Sequence, residues 1–200
     1  MDFLRRSMLF LPGDNPRFLA KALASTADAL ILDLEDAVAP HQKPAARLAV
    51  AQALRAQDFG AKEKGVRINS LSTPYGREDV QTVVPARPHT LVVPKVNGPQ
   101  DVQEVDDLVT AVEKAHGLAL GEVKLMPIIE SPLAVINVES IALASPRVVG
   151  LMFGIAFRHT TRGDRRWMFR PCMSLLSTFV FSWLIFYSAL TIRKSIWHRG

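Results

Sequence analysis

Residues 29–38, ALILDLEDAV, decide the fold. Ala29, Leu30, Ile31 and Leu32 are consecutive apolar residues without polar alternation. That is the pattern of a strand buried on both faces, as in a parallel sheet covered by helices. Three carboxylates, Asp33, Glu35 and Asp36, follow at once, and in α/β folds the carboxyl ends of strands are where sites are built. One acid there serves a helix cap or an ion pair as readily as chemistry. Three together point to a site.

The same grammar repeats on both sides. Ser7 to Leu11 reads as a first strand, the turn residues Pro12 to Pro16 follow, and Arg17 to Leu23 reads as a helix. After the central strand, Lys43 to Gln57 is helical, with Ala46, Leu48, Ala49, Ala53 and Leu54 as its apolar positions and Pro44 tolerated in the first turn. Gly65 to Asn69 is the third strand and carries Arg67, followed by a weak helix, Gly76 to Val84. Thr90 to Val96 is the fourth strand, although Pro94 argues against a regular ladder there, and it ends around Lys95. Asp101 to His116 is amphipathic, with Val102, Val105, Leu108, Val109 and Val112 on one face. Val123 to Ile129, closed by Glu130, is the fifth strand; a helix with Val135, Ile136, Val138 and Ile141 follows, then a sixth strand, Arg147 to Phe153. Six βα-type units at roughly 25 to 30 residues each predict an α/β fold with a parallel sheet, open or closed as a barrel of eight such units.

The formal net charge of +5 is unevenly made. Residues 1–156 carry 16 Lys and Arg against 18 Asp and Glu, and residues 157–200 carry 8 against 1. The basic balance is therefore no argument for a nucleic-acid surface on the first part. A single cysteine, Cys172, excludes an intrachain disulfide framework and fits a reducing, cytoplasmic compartment. The apolar run near the amino terminus is too short for a secretory signal and reads better as a strand.

Residues 157–170 hold five Arg without helix or strand periodicity, and residues 171–192 then run without a charged side chain to Arg193 and Lys194. That length fits a membrane-spanning hydrophobic helix with basic flanks, although its Ser and Thr residues lower its hydropathy. A buried helix, or a segment foreign to the fold such as a shifted reading frame produces, are the alternatives.

On a parallel barrel the strand ends Asp33, Glu35, Asp36, Arg67, Asn69, Lys95 and Glu130 share one mouth. Carboxylates there suit Mg²⁺, which takes one or two of them and completes its shell with water and substrate. Arg67 suits a substrate carboxylate, which a guanidinium grips through two parallel hydrogen bonds. The plainer role for Arg67 and Lys95 is an ion pair with a neighbouring acid.

At these residues the chain resembles a known family. SMLFLPGDNPRF, ALILDLEDAVAPHQKPAAR, GVRINS, VVPKV, LMPIIESPLAVINVESIA and RVVGLMFG resemble, in order, the citrate lyase β-subunit-like acyl-CoA lyases, with malyl-CoA and citramalyl-CoA lyases as relatives. The resemblance implies a TIM (β/α)8-type barrel of the pyruvate/phosphoenolpyruvate superfamily, incomplete at about six units over residues 1–156, with residues 157–200 foreign to it. It implies Mg²⁺-dependent carbon–carbon bond cleavage or formation in an acyl-CoA or small organic acid, and homo-oligomers among intact relatives. Carried over, Arg67 and Glu130 would bind substrate, Glu130 would ligate Mg²⁺, and Asp33, Glu35, Asp36 and Lys95 would support them. One departure stands out: after the GLMFG strand the family places a second Asp ligand, where this chain has Phe157. Phe cannot ligate a hard cation, and the last two barrel units have no counterpart, so the resemblance implies weak activity or none. A non-catalytic membrane-tethered or complex-bound module, or a frameshifted truncated product without a function of its own, are the alternatives.

Overall fold

The computed structural model describes residues 3–154. Phe157 and the hydrophobic segment 171–192 lie outside the described residues. Six parallel strands form one sheet in the order of the chain: β1 Met8–Pro12, β2 Ala29–Asp33, β3 Glu63–Arg67, β4 Thr90–Val93, β5 Lys124–Ile129 and β6 Met152–Phe153. Between them run α1 Pro16–Leu23, α2 Lys43–Ala56, α3 Gly76–Val83, α4 Pro99–Ala115, and two short helices, α5 Pro132–Ile136 and α6 Val138–Ala142. A doubly wound sheet reverses its strand order and places helices on both faces. Here the order never reverses.

The two faces of β2 show which way the sheet curls. Leu30 and Leu32 belong to the large core that holds Leu19 of α1, Val50 of α2, Val80 of α3 and Val105 of α4. Ala29 and Ile31, pointing the other way, pack with Val92, Met126, Ile128, Met8 and Met152, all from strands. Helices thus cover one face and the strands meet one another across the other, as in a barrel. Gly65 belongs to this inner layer: a Cβ there would lie 2.3 Å from Ile31 Cδ1. Below it the interior is closed by Glu63, fully buried, which accepts from Arg5 Nε at 2.6 Å and Nη2 at 2.8 Å and from the Thr90 hydroxyl.

Local chemistry starts the helices. Asn15 Oδ1 accepts from the N–H of Arg17 at 3.1 Å, with Pro16 at the first helical position. Asp101 reaches back to the N–H groups of Asn97 at 2.7 Å and Gly98 at 3.0 Å. Ser131 Oγ caps α5 through Ala134 N.

Several boundaries differ from the sequence reading. β3 lies two residues earlier than Gly65–Asn69, because its register is set by β2, where Asp33 faces Arg67. The fourth strand stops at Val93, before Pro94, which has no N–H for the ladder. The expected single helix after β5 breaks at Asn137, whose side chain donates instead to Asn97 O at 2.8 Å. The last strand is reduced to Met152–Phe153, with one isolated bridge from Val148 to Leu125. Leu48, expected on the apolar face of α2, is 65% exposed, and Val50 and Ala51 are buried in that helix.

Candidate active site at the carboxyl ends of the strands

Arg67 ends β3 directly opposite Asp33 at the end of β2, so both side chains enter the barrel mouth at one level. Arg67 Nε donates to Asp33 Oδ1 at 2.7 Å and Nη2 donates to Asp33 Oδ2 at 2.5 Å. The two-pronged grip expected for a substrate carboxylate is thus already made with Asp33. Nη1 remains turned to Glu35 Oε2 and Asp36 Oδ2, both at 3.3 Å. The guanidinium carbon lies 5.5 Å from the centre of the Phe10 ring, within cation–π range. Burial works to lower the Arg67 pKa, but the bond to Asp33 and the surrounding carboxylates outweigh it and raise it.

Asp33 also shapes the turn that follows, accepting from the N–H of Glu35 at 2.8 Å and of Ala37 at 3.1 Å. Glu35 is buried, and its Oε1 accepts no hydrogen bond although Lys95 Nζ lies 2.9 Å away. That contact is an ion pair set off the hydrogen-bond direction. Burial pushes the Glu35 carboxyl up, against the pull of Lys95 and Arg67. Lys95 in turn is raised, chiefly by its contact with Glu35.

Lys95 links two carboxylates. Its backbone has φ of 56°, the left-handed region that costs a residue with a Cβ. In that conformation its N–H donates to Glu130 Oε1 at 2.5 Å while its side chain reaches Glu35. Glu130 follows β5, and Gly154 stands beside it: a Cβ at 154 would be 3.6 Å from Glu130 Oε2. A cleft of about 530 Å³ opens here, lined in part by Ser70, Ser72, Asn97, Glu130 and Ser131.

Arg67, Asp33, Glu35, Lys95 and Glu130 are therefore brought together as expected. Asp36 sits at the rim, its side chain 74% exposed. Asn69 does not join them. It lies beyond the end of β3, buried, donating through Nδ2 to Leu34 O at 2.8 Å and Asp79 Oδ2 at 2.7 Å. Missed by the sequence reading is what Asn69 meets: Lys43 of α2, together with Asp79 of α3 and Arg47 of α2, whose Nε donates to Asp79 Oδ1 at 2.9 Å. The signal was present, since Lys43 and Arg47 interrupt the buried side of a helix at helical spacing.

Residues 6–157 match the family described as HpcH/HpaI aldolase/citrate lyase. The chain belongs to this family. It is similar to citrate lyase subunit beta of Haemophilus influenzae, 41% identical over 151 residues, covering 76% of this chain and 52% of that one. It is likewise similar to an L-malyl-CoA/beta-methylmalyl-CoA lyase of Cereibacter sphaeroides, 43% identical over 154 residues, covering 76% of this chain and 48% of that one. The chain thus spans about half the length of these relatives. Among solved structures, protein CitE of Mycobacterium tuberculosis, in complex with magnesium and acetoacetate, superposes with a TM-score of 0.59 at 32% identity over 76% of this chain and 56% of that one. The barrel-type fold expected from the sequence is therefore established.

A divalent cation can be tested against the donors present. No three His, Cys, Asp or Glu side chains among the described residues converge into a ready-made cage. Mg²⁺ asks for less, since it keeps several waters and takes one or two carboxylates. Glu130 fits as one such ligand: Lys95 N–H holds Oε1, and the missing side chain at Gly154 leaves room beside Oε2.

Proposed function

We propose that this protein is a Mg²⁺-dependent acyl-CoA lyase that cleaves or forms a carbon–carbon bond in a citryl-, malyl- or citramalyl-CoA-like substrate. The observation that carries this reading is the meeting of Arg67 and Glu130 at one barrel mouth, bridged by Glu35 and Lys95, in a chain of this family. Similarity to lyases of both the citrate and malyl-CoA type supports the reaction class. A relative crystallised with magnesium and acetoacetate supports the cation.

In the cleavage direction the substrate's hydroxyl loses its proton and becomes a carbonyl. The electron pair of the adjacent carbon–carbon bond passes to the α-carbon of the thioester as an enolate, which then takes up a proton. Arg67 offers Nη1 to the carboxylate of the keto-acid fragment while Asp33 holds the rest of the guanidinium rigid, so little reorganisation accompanies the charge shift. Lys95 places a positive charge at the mouth and fixes Glu130 through its N–H. Mg²⁺, when held by Glu130, would supply positive charge for the developing oxyanion. The position at which the family places a second acidic ligand is Phe157; this substitution supports a weak activity in this chain. A cytoplasmic location belongs to the same reading.

The test is turnover of malyl-CoA and citramalyl-CoA by the full chain, with Mg²⁺ and with a chelator, in the wild type and in Glu130→Gln. Slow, chelator-sensitive turnover that Glu130→Gln abolishes is the expected result. Turnover that survives both changes would reject the site. The uncharged segment 171–192 favours a second reading, a membrane-tethered, non-catalytic module. A soluble reporter fused to residues 157–200 decides it: recovery outside the membrane fraction ends that idea.

A further inference from the structure

Lys43 is in an unusual place for a lysine. It is the first residue of α2, where the helix dipole disfavours a cation, and it is 7% exposed. Burial lowers its pKa, against the pull of Asp79, Asp33, Glu35 and Asp36. Its ammonium has three N–H groups and meets three neutral acceptors: Leu34 O at 2.8 Å, Glu35 O at 2.7 Å and Asn69 Oδ1 at 2.7 Å. A fold needing only a filled space there would be served by an apolar side chain, because a buried charge carries a desolvation penalty.

What the ammonium holds is the turn that carries Glu35. The β2 ladder ends at Leu34, whose N–H donates to Arg67 O, and beyond it the carbonyls of Leu34 and Glu35 have lost their strand partners. Lys43 takes both. The third acceptor ties them to the end of β3, where Asn69 is fixed through its own N–H by Asp79 Oδ2 at 2.9 Å, itself bound by Arg47. From the opposite side Asp33 grips the N–H groups of Glu35 and Ala37. The turn that carries Glu35 is thus held through its carbonyls by Lys43 and through its N–H groups by Asp33.

We propose that Lys43 is a positioning residue of the candidate site, clamping the Leu34 and Glu35 carbonyls so that the Glu35 carboxylate stays seated between Arg67 and Lys95. The functional meaning of that seat rests on the lyase reading; the clamp itself is tested without it. Glu35 is faced by Arg67 from β3, Lys95 from the segment after β4, Asp36 and Asp33 from its own turn, and Lys43 from α2.

The experiment is the carboxyl ¹³C titration of Glu35 in the full chain, assigned by its absence in Glu35→Gln. Wild type, Lys43→Met and Val109→Ala are compared, the last a core change in α4 far from the mouth. The sign separates the outcomes. Removing a nearby cation from a Glu35 that stays in place would raise its midpoint further, whereas release of the turn into water lowers it. The clamp predicts a midpoint above the ordinary carboxylate range in wild type and Val109→Ala, falling back into that range in Lys43→Met. A Lys43→Met midpoint at or above the wild-type value overturns the proposal. Should Lys43→Met not fold, Lys43→Arg serves, since a planar guanidinium keeps the charge but cannot give three convergent bonds; an unchanged midpoint there overturns it equally. Binding of pyruvate with Mg²⁺ to wild type, measured by calorimetry, reports separately on the lyase reading. No binding would reject that reading and leave the Glu35 midpoint to decide the role of Lys43.

Discussion

Replacing Arg147 by Met gives the sharpest test of how the barrel units are joined. Arg147 precedes the last strand, and its side chain is 5% exposed. Nη1 donates to Glu113 Oε1 at 2.9 Å and to Val123 O at 2.9 Å, Nη2 to Glu113 Oε2 at 2.6 Å and Thr110 Oγ1 at 2.8 Å, and Nε to Asp106 Oδ1 at 2.5 Å. One side chain thus ties β5 and the approach to β6 onto α4. Met fills much of the volume but leaves Glu113, fully buried, with only the N–H groups of Gly121 and Val123. Removing one partner of a buried ion pair costs ~3–5 kcal/mol, a large share of the ~5–15 kcal/mol that holds a domain together. With a urea slope of roughly 2 kcal/mol per molar, the unfolding midpoint should fall by about 2 M at neutral pH.

The sign of the pH dependence sharpens the test. In the wild type, burial works to raise Glu113, and the bonds from Arg147 and the two N–H groups outweigh it, so the carboxyl lies below its ordinary range. Such a group contributes stability above its unfolded pKa and loses it as pH falls through the lower folded value. Without Arg147 the burial effect dominates and the folded-state pKa moves above the unfolded one. The variant then gains stability as Glu113 protonates, and its deficit should shrink between neutral pH and about pH 5. Urea unfolding at both values measures this. A deficit under about 1 kcal/mol at neutral pH, or one that acidification leaves unchanged, would mean that Arg147 does not hold Glu113 ionised in the core.

Three further outcomes follow from the same geometry. Arg67→Lys should keep the fold but weaken pyruvate binding in the presence of Mg²⁺ by at least about tenfold, because a lysine cannot hold Asp33 in a fork and still present a second donor; calorimetry with unchanged affinity would remove Arg67 from the site. Gly65→Ala brings a methyl to 2.3 Å from Ile31 Cδ1, and since the end of an isoleucine can shift, the cost should fall at the low end of about 1–3 kcal/mol in chemical denaturation. Asp28 is held down to a pKa of about 2, first by its hydrogen bond from Arg6. Because that is below its unfolded value, its contribution to stability is present above the ordinary aspartate range, declines as pH falls below that range and is gone once pH has fallen through about 2. Carboxyl NMR showing an ordinary aspartate midpoint would disprove the pairing.

Much of this was legible in the residues, and particular ones show why. Ala29 to Leu32 betrayed a buried strand because a strand covered on both faces carries a polar side chain only where a buried partner meets it, as Arg5 and Thr90 meet Glu63. Arg67, Lys95 and Glu130 each followed an apolar run, and a parallel strand order carries every such end to the same mouth. Asn69 misled for the same reason. It stands two residues past Arg67, but the chain had already left the strand, and Asn69 turned to the helix layer. Where β3 stops is decided by pairing with β2, which its own composition does not record.

Local sequence alone determined which segments were strands and helices, though not every boundary, and that acids and bases gather at strand ends. Those properties come from contacts within a few residues. Only the tertiary structure decided that Arg67 spends its fork on Asp33, that Glu35 is buried with an oxygen lacking a hydrogen bond, and that Lys43 reaches beneath the site from α2. Each joins residues distant in the chain or set by a turn's exact path, and desolvation and hydrogen-bond geometry act on atoms only after the strands have been laid side by side.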